Sequence, residues 1–219
     1  MLTHSEENHL KCIYHLSSKS TSAINTNAIA ESLNTKPASV TDMIQRLATK
    51  GLTSYVKYKG VRLTSKGEKE ALKVVRKHRL WEVFLVKELG YNWDQVHDIA
   101  EQLEHIKSPT LIDKLDAFLE FPKFDPHGDP IPDAMGVIEQ KPSITLNLLT
   151  PKDSCIVIRA KDSSSDLLLF LDKVNISLGS NIEVIEYFEF DGSISIKVDK
   201  GAAITISSKV AENIFVNKL

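Results

Sequence analysis

The 219-residue sequence predicts a mainly α-helical protein that ends in a small β domain. Three observations lead to this fold class. Apolar residues recur at helical spacing up to Leu119. The segment 121–142 holds five of the eight prolines and is typical of a connector. From Ser143 onward, short runs of alternating apolar and polar residues replace the helical spacing. We therefore predict domains at 1–73, 74–142 and 143–219.

The first domain is predicted to be a winged helix-turn-helix. A first helix is expected over about Ser5–Ser18 and a short second helix over Thr26–Leu33. Pro37 suits the first position of a third helix, where its missing N–H costs nothing, and that helix should end at Gly51. Residues 53–64 then alternate around Lys59-Gly60 as in a β-hairpin. Helix, helix, tight turn, helix and hairpin is the order of a winged helix-turn-helix.

The third helix carries a small, polar outward face, which fits base edges in the major groove of DNA. The hairpin adds cations suited to phosphates beside that groove. The alternative is a helical bundle whose solvated face happens to be polar. The predicted DNA-binding residues are Lys36, Pro37, Ala38, Ser39, Thr41, Asp42, Gln45 and Arg46 of the helix, and Lys57, Lys59 and Arg62 of the hairpin.

Charge is distributed unevenly between this domain and the rest of the chain. Residues 1–73 carry 11 Lys or Arg against 6 Asp or Glu, whereas the remainder carries 16 against 23. A basic head on an acidic body favours phosphate contacts at the head.

The middle of the chain is predicted to be three helices, at Ser65–Leu89, Asn92–Ile106 and Ser108–Leu119. Their apolar stripes require a packing partner, and a second subunit is one candidate. In the C-terminal part, the alternating runs near 155–158, 182–185, 193–198 and 203–206 indicate a small β-barrel-like domain.

Imidazole and carboxylate groups recur at helical spacing in the middle domain. His78 and Glu82 share a helix face, and the next helix carries His97, Glu101, Glu104 and His105 within one stripe. Asp125 and His127 add two more such groups in the connector. These are ligands that divalent transition metals use. The alternatives are a solvated helix face and, for the connector, an ordinary turn.

Several classes of protein are disfavoured by the sequence. No apolar run is long enough for a membrane span, and the N-terminus lacks a signal-like stretch, so a cytoplasmic location is expected. Cys12 and Cys155 each sit in an apolar pattern and are expected to be reduced, buried thiols. A metallohydrolase is disfavoured because the HExxH spacing, a phosphate-cradling glycine loop and a nucleophile elbow are all missing. We therefore predict that the protein is not an enzyme.

Together these residues resemble the diphtheria-toxin-repressor family, in the branch of manganese-transport regulators that keep a C-terminal SH3-like domain. The resemblance rests on seven stretches: Lys36 to Thr41, Tyr58 to Gly67, Lys77 to Leu80, Val96-His97, Leu103 to His105, Pro126 to Gly128 and Ile176 to Gly179. It implies a homodimeric, Mn²⁺- or Fe²⁺-dependent repressor of metal-uptake genes that binds palindromic operator DNA, with a helical dimerisation domain and no membrane association.

The resemblance also implies two metal sites. One would use His78, Glu82, Asp125 and His127, closed by Asp166 from the SH3-like domain. The second would use Glu101, Glu104 and His105 with a residue of the first helix near Asn8, and His97 matches a ligand in some members.

Three positions depart from the family pattern. Asp125 stands where a cysteine is common, which favours manganese or iron(II) over zinc and copper(I). Asn8 offers a neutral amide oxygen where an acidic or thioether ligand is usual, and Glu7 or a backbone carbonyl is the alternative ligand there. Lys11 occupies a position that is acidic in some members, which argues against a tight two-metal cluster there.

The main alternative to a metal-dependent repressor is a winged-helix regulator that responds to a small organic effector.

Overall fold

The computed structural model describes residues 2–18, 22–56, 60–139, 142–161 and 165–219. Within these ranges the N-terminal and middle parts contain α1 (His4–Ser17), α2 (Thr26–Ser32), α3 (Pro37–Thr49), β1 (Thr53–Val56), β2 (Gly60–Leu63), α4 (Ser65–Lys87), α5 (His97–Leu103) and α6 (Pro109–Phe118). The C-terminal part contains β3 (Ile144–Thr145), β4 (Ser154–Ala160), α7 (Ser165–Lys173), β5 (Asn181–Tyr187), β6 (Ile194–Val198), β7 (Ala203–Ile206), α8 (Ser208–Ala211) and β8 (Ile214–Lys218).

The chain divides into two compact units. The first unit comprises Met1–His78, Glu101–Lys114 and Ile131–Ile138, and the second comprises Arg79–Ala100, Leu115–Pro130 and Glu139–Leu219. No helix in the described ranges combines the length and apolarity needed to cross a membrane.

The predicted winged helix-turn-helix forms in the first unit. Thr3 caps α1 in a reciprocal capping box with Glu6, and Pro37 opens α3. Asn34 makes the tight turn between α2 and α3 with a left-handed φ of 46°. Apolar residues of all three helices meet in one core, which includes Ile13, Ile29 and Ile44. This core fixes which face of α3 remains outside.

The wing is a two-stranded antiparallel hairpin. Thr53 pairs with Leu63 and Val56 with Gly60. Ile24 bridges to Val61 through backbone hydrogen bonds of 2.8 and 2.9 Å, which ties the wing to the segment before α2. The wing is therefore attached to the helical core through this bridge as well as through its chain ends.

The predicted helix over Asn92–Ile106 is wrong at its start, because α5 begins only at His97. The Asn92 amide donates to Gln95 Oε1 (3.1 Å) and the Gln95 amide donates to the Asn92 carbonyl (3.0 Å). These bonds close a turn over 92–95 instead of a helical one.

The C-terminal part of the second unit is an antiparallel sheet of six described strands in the order β3-β8-β4-β5-β6-β7. Helix α7, which the sequence analysis did not predict, buries Leu168 and Leu171 against this sheet. The apolar residues of the two elements share one core with Val157, Ile182 and Val216. The predicted SH3-like β domain is thus present, with two helices, α7 and α8, that the alternating runs did not indicate.

Candidate metal centre and DNA-contacting surface

Three of the predicted metal ligands meet inside the second unit. Glu82 of α4 and Asp125 and His127 of the connector each offer one ligand atom, and these atoms all lie within 4.8 Å of one another. All three side chains are buried. Two carboxylates and an imidazole in a dry setting form a donor set suited to a divalent transition metal.

The imidazole of His127 is oriented by a backbone contact. Its Nε2 lies 2.7 Å from the carbonyl oxygen of Trp93, which can only accept, so Nε2 carries a proton. The Trp93 ring stacks on the imidazole with centroids 6.0 Å apart. Nδ1 is thereby turned toward Glu82 Oε2 at 3.8 Å and Asp125 Oδ1 at 4.0 Å. Nδ1 is buried and has no hydrogen-bond partner among the described residues.

The connector loop holds Asp125 so that one carboxylate oxygen remains available. Oδ1 accepts backbone N–H groups of His127 and Asp129, both at 2.9 Å. Oδ2 is buried without a hydrogen-bond partner among the described residues, and Arg79 Nε lies 3.4 Å from it. Orphaned buried polar atoms are rare in native proteins. His127 Nδ1 faces the carboxylates of Glu82 and Asp125 at 3.8 and 4.0 Å without a hydrogen bond, and this arrangement fits a site built for a cation.

Glycine is required next to His127. Gly128 has a φ of +90°, and a Cβ there would meet the Ile158 carbonyl oxygen at 2.1 Å. This close approach lets the Ala160 amide donate to the His127 carbonyl at 2.9 Å. The connector is thus docked on β4, which fixes the backbone of the candidate ligand.

Burial and neighbouring charges perturb both connector groups in the metal-free protein. Burial raises the pKa of Asp125 to about 8, helped by the charges of Glu82 and Asp129 and opposed by Arg79 and His127. Burial lowers the pKa of His127, but Glu82 outweighs it, and with Asp125 and the Trp93 carbonyl the pKa rises to about 9. Near neutral pH the cluster therefore holds protons where a metal ion would remove them.

Two other predicted ligands lie in this unit but outside the cluster. His97 is half-exposed, and its Nδ1 lies 3.7 Å from Glu82 Oε1. Asp166 is exposed in the first turn of α7 and does not belong to the cluster of Glu82, Asp125 and His127. The roles of His97 and Asp166 as ligands stay predictions.

The remaining predicted ligands belong to the first unit, where two of them, Glu101 and Glu104, bond Lys11. The Lys11 ammonium bonds Glu101 Oε1 and lies 2.7 Å from Glu104 Oε2. His78 Nδ1 lies 2.7 Å from the same Glu104 oxygen, so His78 bonds Glu104, a residue of the other predicted site. His105 Nδ1 lies 2.6 Å from Glu7 Oε2, and Glu7 is the alternative first-helix ligand that the sequence analysis named for this site.

Asn8, the predicted ligand on α1, has a buried side-chain oxygen with no hydrogen-bond partner among the described residues. The oxygen suits a ligand role, but the nearby cation is already supplied by Lys11. In this second cluster the Lys11 ammonium bonds two of the predicted ligands, whereas in the first cluster Arg79 lies 3.4 Å from one oxygen of Asp125.

The predicted DNA-contacting face is open on the first unit. Because Val40, Ile44 and Leu47 are fully buried, the opposite side of α3 points outward. Exposed residues are Lys36, Pro37, Ala38, Ser39, Asp42, Gln45, Arg46 and Arg62, and Thr41 is half-buried. Lys57 and Lys59 lie outside the described residues.

Sequence reasoning missed the residues that support the first cluster. Arg79 bonds the Pro130 carbonyl and approaches Asp125, and Arg159 Nη1 donates to Asp129 Oδ1 at 3.1 Å. Trp93 orients His127 and donates from Nε1 to Asp172 of α7. The only sequence feature that pointed to Arg79 was its position directly after the predicted ligand His78 on the same helix.

Comparison with known proteins identifies several relatives. The regulator MntR of Lysinibacillus sphaericus is 34% identical over 152 residues, covering 69% of this chain and 96% of the relative. The iron-dependent repressor IdeR of Mycobacterium tuberculosis is 33% identical over 138 residues, covering 63% and 58%. A structure described as a manganese-dependent transcriptional repressor in complex with manganese matches with a TM-score of 0.91 and 38% identity, covering 98% of this chain and 100% of that one.

The exposed recognition helix and the buried carboxylate–imidazole cluster define the class as a DNA-binding regulator with a metal site. Residues 1–61 match the N-terminal DNA-binding domain of the iron-dependent repressors, residues 64–133 match their metal-binding and dimerisation domain, and residues 144–218 match the FeoA domain. The chain belongs to the iron-dependent repressor family. These matches confirm the family resemblance inferred from the sequence. Members of the family are metal-dependent, DNA-binding transcriptional repressors and not enzymes.

Proposed function

We propose that this protein is a Mn²⁺- or Fe²⁺-dependent repressor that binds a palindromic operator as a homodimer and controls metal-uptake genes. Its place of action would be the cytoplasm, where operator DNA is found. The family membership supports the general activity, and relatives named for manganese and for iron support the choice of ions.

The observation that carries the proposal is the buried His127 Nδ1, which faces two buried carboxylates at 3.8 and 4.0 Å without a hydrogen bond. Asp125 Oδ2 and His127 Nδ1 have no hydrogen-bond partner among the described residues, although burial makes an unmet polar atom costly. Glu82 completes the donor set. These three residues would hold the ion, with Arg79, Trp93 and Asp129 as the partners that orient them.

The donor set favours hard to borderline ions. It contains oxygen and imidazole nitrogen and no thiolate, because both cysteines are buried in apolar cores elsewhere. When bound, a divalent ion would neutralise the two carboxylates and join α4 to the connector. In the metal-free protein, protons on Asp125 and His127 take over part of that neutralisation.

Operator recognition would use the exposed face of α3. Gln45 can hydrogen-bond an adenine edge, Ala38 can contact a thymine methyl group, and Arg46 can reach guanine or phosphate. In a homodimer two such helices would enter half-sites one helical turn apart, which is the reason to expect a palindrome.

The test begins with an operator selected from a random duplex pool by the protein in the presence of Mn²⁺ or Fe²⁺. Gel shifts then measure binding to that duplex at fixed salt, first with metal-stripped protein and then with Mn²⁺, Fe²⁺ or Zn²⁺ added. We expect tight binding only with metal, and stronger binding with Mn²⁺ or Fe²⁺ than with Zn²⁺.

Two variants, one in α4 and one just after it, provide the control. Glu82→Gln should abolish the metal dependence because it removes a buried ligand, whereas Glu88→Gln, at an exposed position just after α4, should behave as the wild type. Equal binding with and without metal would refute the proposal and favour an organic effector.

A further inference from the structure

Lys11 is a buried lysine on α1, and its ammonium lies among acidic side chains. The residue is 9% exposed, and its Nζ bonds Glu101 and lies 2.7 Å from Glu104 Oε2. Glu104 itself is fully buried. A buried ammonium is retained only where carboxylates compensate its lost hydration, so this placement is specific.

A second charged contact of α1 lies one helical turn before Lys11 and involves the segment that follows α5. Glu7, four residues before Lys11, receives the His105 Nδ1 contact at 2.6 Å, and Lys77 Nζ lies 3.6 Å from its other oxygen. Residues four apart share one helix face, so this face of α1 meets α5 and its C-terminal extension through two charged contacts. All of these residues belong to the first unit.

We propose that the Lys11 ammonium is the resident cation of the Glu101–Glu104 pair and replaces a second divalent ion in this chain. The protein then binds its regulatory ion only at Glu82, Asp125 and His127, and α1 is held to α5 whether metal is present or not. The statement about the first site rests on the function proposed above, whereas the statement about Lys11 does not.

Two features of the cluster exclude a divalent ion while Lys11 is present. The Glu104 oxygen Oε2 already meets two donors, Lys11 Nζ and His78 Nδ1, both at 2.7 Å. An added ion would also lie beside a buried ammonium, and like charges in a low-dielectric setting repel strongly. The carboxylate oxygen that a divalent ion would need is therefore already hydrogen-bonded, and the positive charge that it would supply is already provided by Lys11.

Removing the ammonium should expose a latent metal site. Glu101 and Glu104 would then face each other without their cation. His105 Nε2 lies 3.7 Å from Glu104 Oε1, and the buried oxygen of Asn8 lacks a hydrogen-bond partner among the described residues. Carboxylate, imidazole and amide oxygen together suit Mn²⁺.

The experiment counts Mn²⁺ bound per chain, using elemental analysis after equilibrium dialysis and electron paramagnetic resonance of the free ion. Wild type should bind one equivalent, and Lys11→Met should bind two. The additional equivalent should disappear in the double variant Lys11→Met/Glu104→Gln. Lys50→Met is the matched control, because Lys50 Nζ pairs with Glu6 of the same helix at 2.6 Å, away from Glu101 and Glu104.

A melting experiment supplies an independent readout. Metal-free Lys11→Met should melt at a lower temperature than wild type, because two carboxylates lose their shared cation. Added Mn²⁺ should restore the melting temperature more in Lys11→Met than in Lys50→Met.

The outcomes separate this inference from the proposed function. A second equivalent in the wild type that Glu104→Gln removes would overturn the inference, as would a Lys11→Met variant that gains no ion. If Lys11→Met does not fold, Glu104→Gln in the wild-type background still decides, because it should leave the Mn²⁺ count unchanged. A wild type without any metal-dependent DNA binding would instead refute the proposed function, while the gain in Lys11→Met would still test the inference.

Discussion

Asp125→Asn should have opposite effects on metal binding and on the stability of the metal-free fold. Asparagine keeps the side-chain oxygen that accepts the amides of His127 and Asp129 at 2.9 Å. It replaces the buried oxygen Oδ2, which we assign to the metal, with an NH₂ group that cannot bind a cation. The loop geometry should therefore persist while the donor set loses a charge.

The stability effect follows from the pKa of Asp125. Burial raises this pKa from 3.8 to about 8, so the folded state favours the protonated acid. The contribution of Asp125 to the free energy of unfolding is therefore fully present below pH 3.8 and is lost as the pH rises toward about 8. Between these two pH values Asp125 ionises in the unfolded chain but not in the folded one, which lowers the free energy of unfolding by about 1.4 kcal/mol per pH unit. For the metal-free wild type at pH 7 the reduction amounts to about 4 kcal/mol.

The substituted asparagine cannot ionise, so this loss should be absent in the variant. We expect its metal-free form to be about 2–4 kcal/mol more stable than wild type at pH 7, since the new amide must still satisfy its own hydrogen bonds. The difference should shrink toward pH 4. Mn²⁺ affinity should fall by at least about 100-fold, because even indirect ligand partners account for 10- to 100-fold.

Urea unfolding of metal-stripped protein at pH 4, 5.5 and 7, with Mn²⁺ titrations at pH 7, measures both effects. Asp133→Asn is the control, because Asp133 is an exposed acid whose side chain caps the Met135 and Val137 amides. It should leave Mn²⁺ affinity unchanged. A metal-free Asp125→Asn protein that is less stable than wild type at pH 7 would refute the reasoning, as would an unchanged Mn²⁺ affinity.

Three further predictions follow from the same site and surface. The pKa values of Asp125 and His127 are about 8 and about 9, so Mn²⁺ binding at pH 6–7 should release about two protons, and the Mn²⁺ affinity should rise roughly 100-fold per pH unit. Calorimetry in two buffers of different ionisation enthalpy counts the released protons, and a count near zero would contradict the assigned ligands. Asp125→Cys should raise the preference for Zn²⁺ over Mn²⁺ at least about 10-fold in competition titrations, and an unchanged ranking contradicts the donor-set argument. Gln45→Ala should weaken operator binding by about 1–3 kcal/mol without changing Mn²⁺ affinity, whereas an unaffected operator affinity removes Gln45 from the interface.

Much of the fold could be predicted from local pattern. The helices and hairpin of the first 87 residues follow from apolar spacing, Pro37 and the turn residues, and their bounds agree with the structure within a few residues. Helix α5 was predicted too long because the apolar stripe continues through Val96, whereas side-chain and backbone bonds of Asn92 and Gln95 close a turn. Helix α7 was missed because the alternating strands around it dominated the interpretation, although Leu168 and Leu171 carry helical spacing.

Helical spacing predicted the residue types of the candidate site, whereas the grouping of Glu82, Asp125 and His127 was implied only by the family resemblance. Helical spacing placed His78 and Glu82 on one face, yet His78 bonds Glu104, whereas Glu82 meets the connector. Lys11 pairs with Glu101 and Glu104 across 90 and 93 residues of chain. Such pairings depend on tertiary packing, which periodicity within one helix does not encode.

The central claim is that an ion held by Glu82, Asp125 and His127 is energetically coupled to operator binding. Fluorescence anisotropy of the selected operator duplex, with and without saturating Mn²⁺, gives the gain in DNA affinity, and Mn²⁺ titrations with and without the duplex give the reciprocal gain. Linkage requires the two factors to be equal, and we expect about 5- to 150-fold in the wild type and about 1-fold in Glu82→Gln. Equal DNA affinity with and without Mn²⁺ in the wild type, or full coupling retained in Glu82→Gln, would contradict the account.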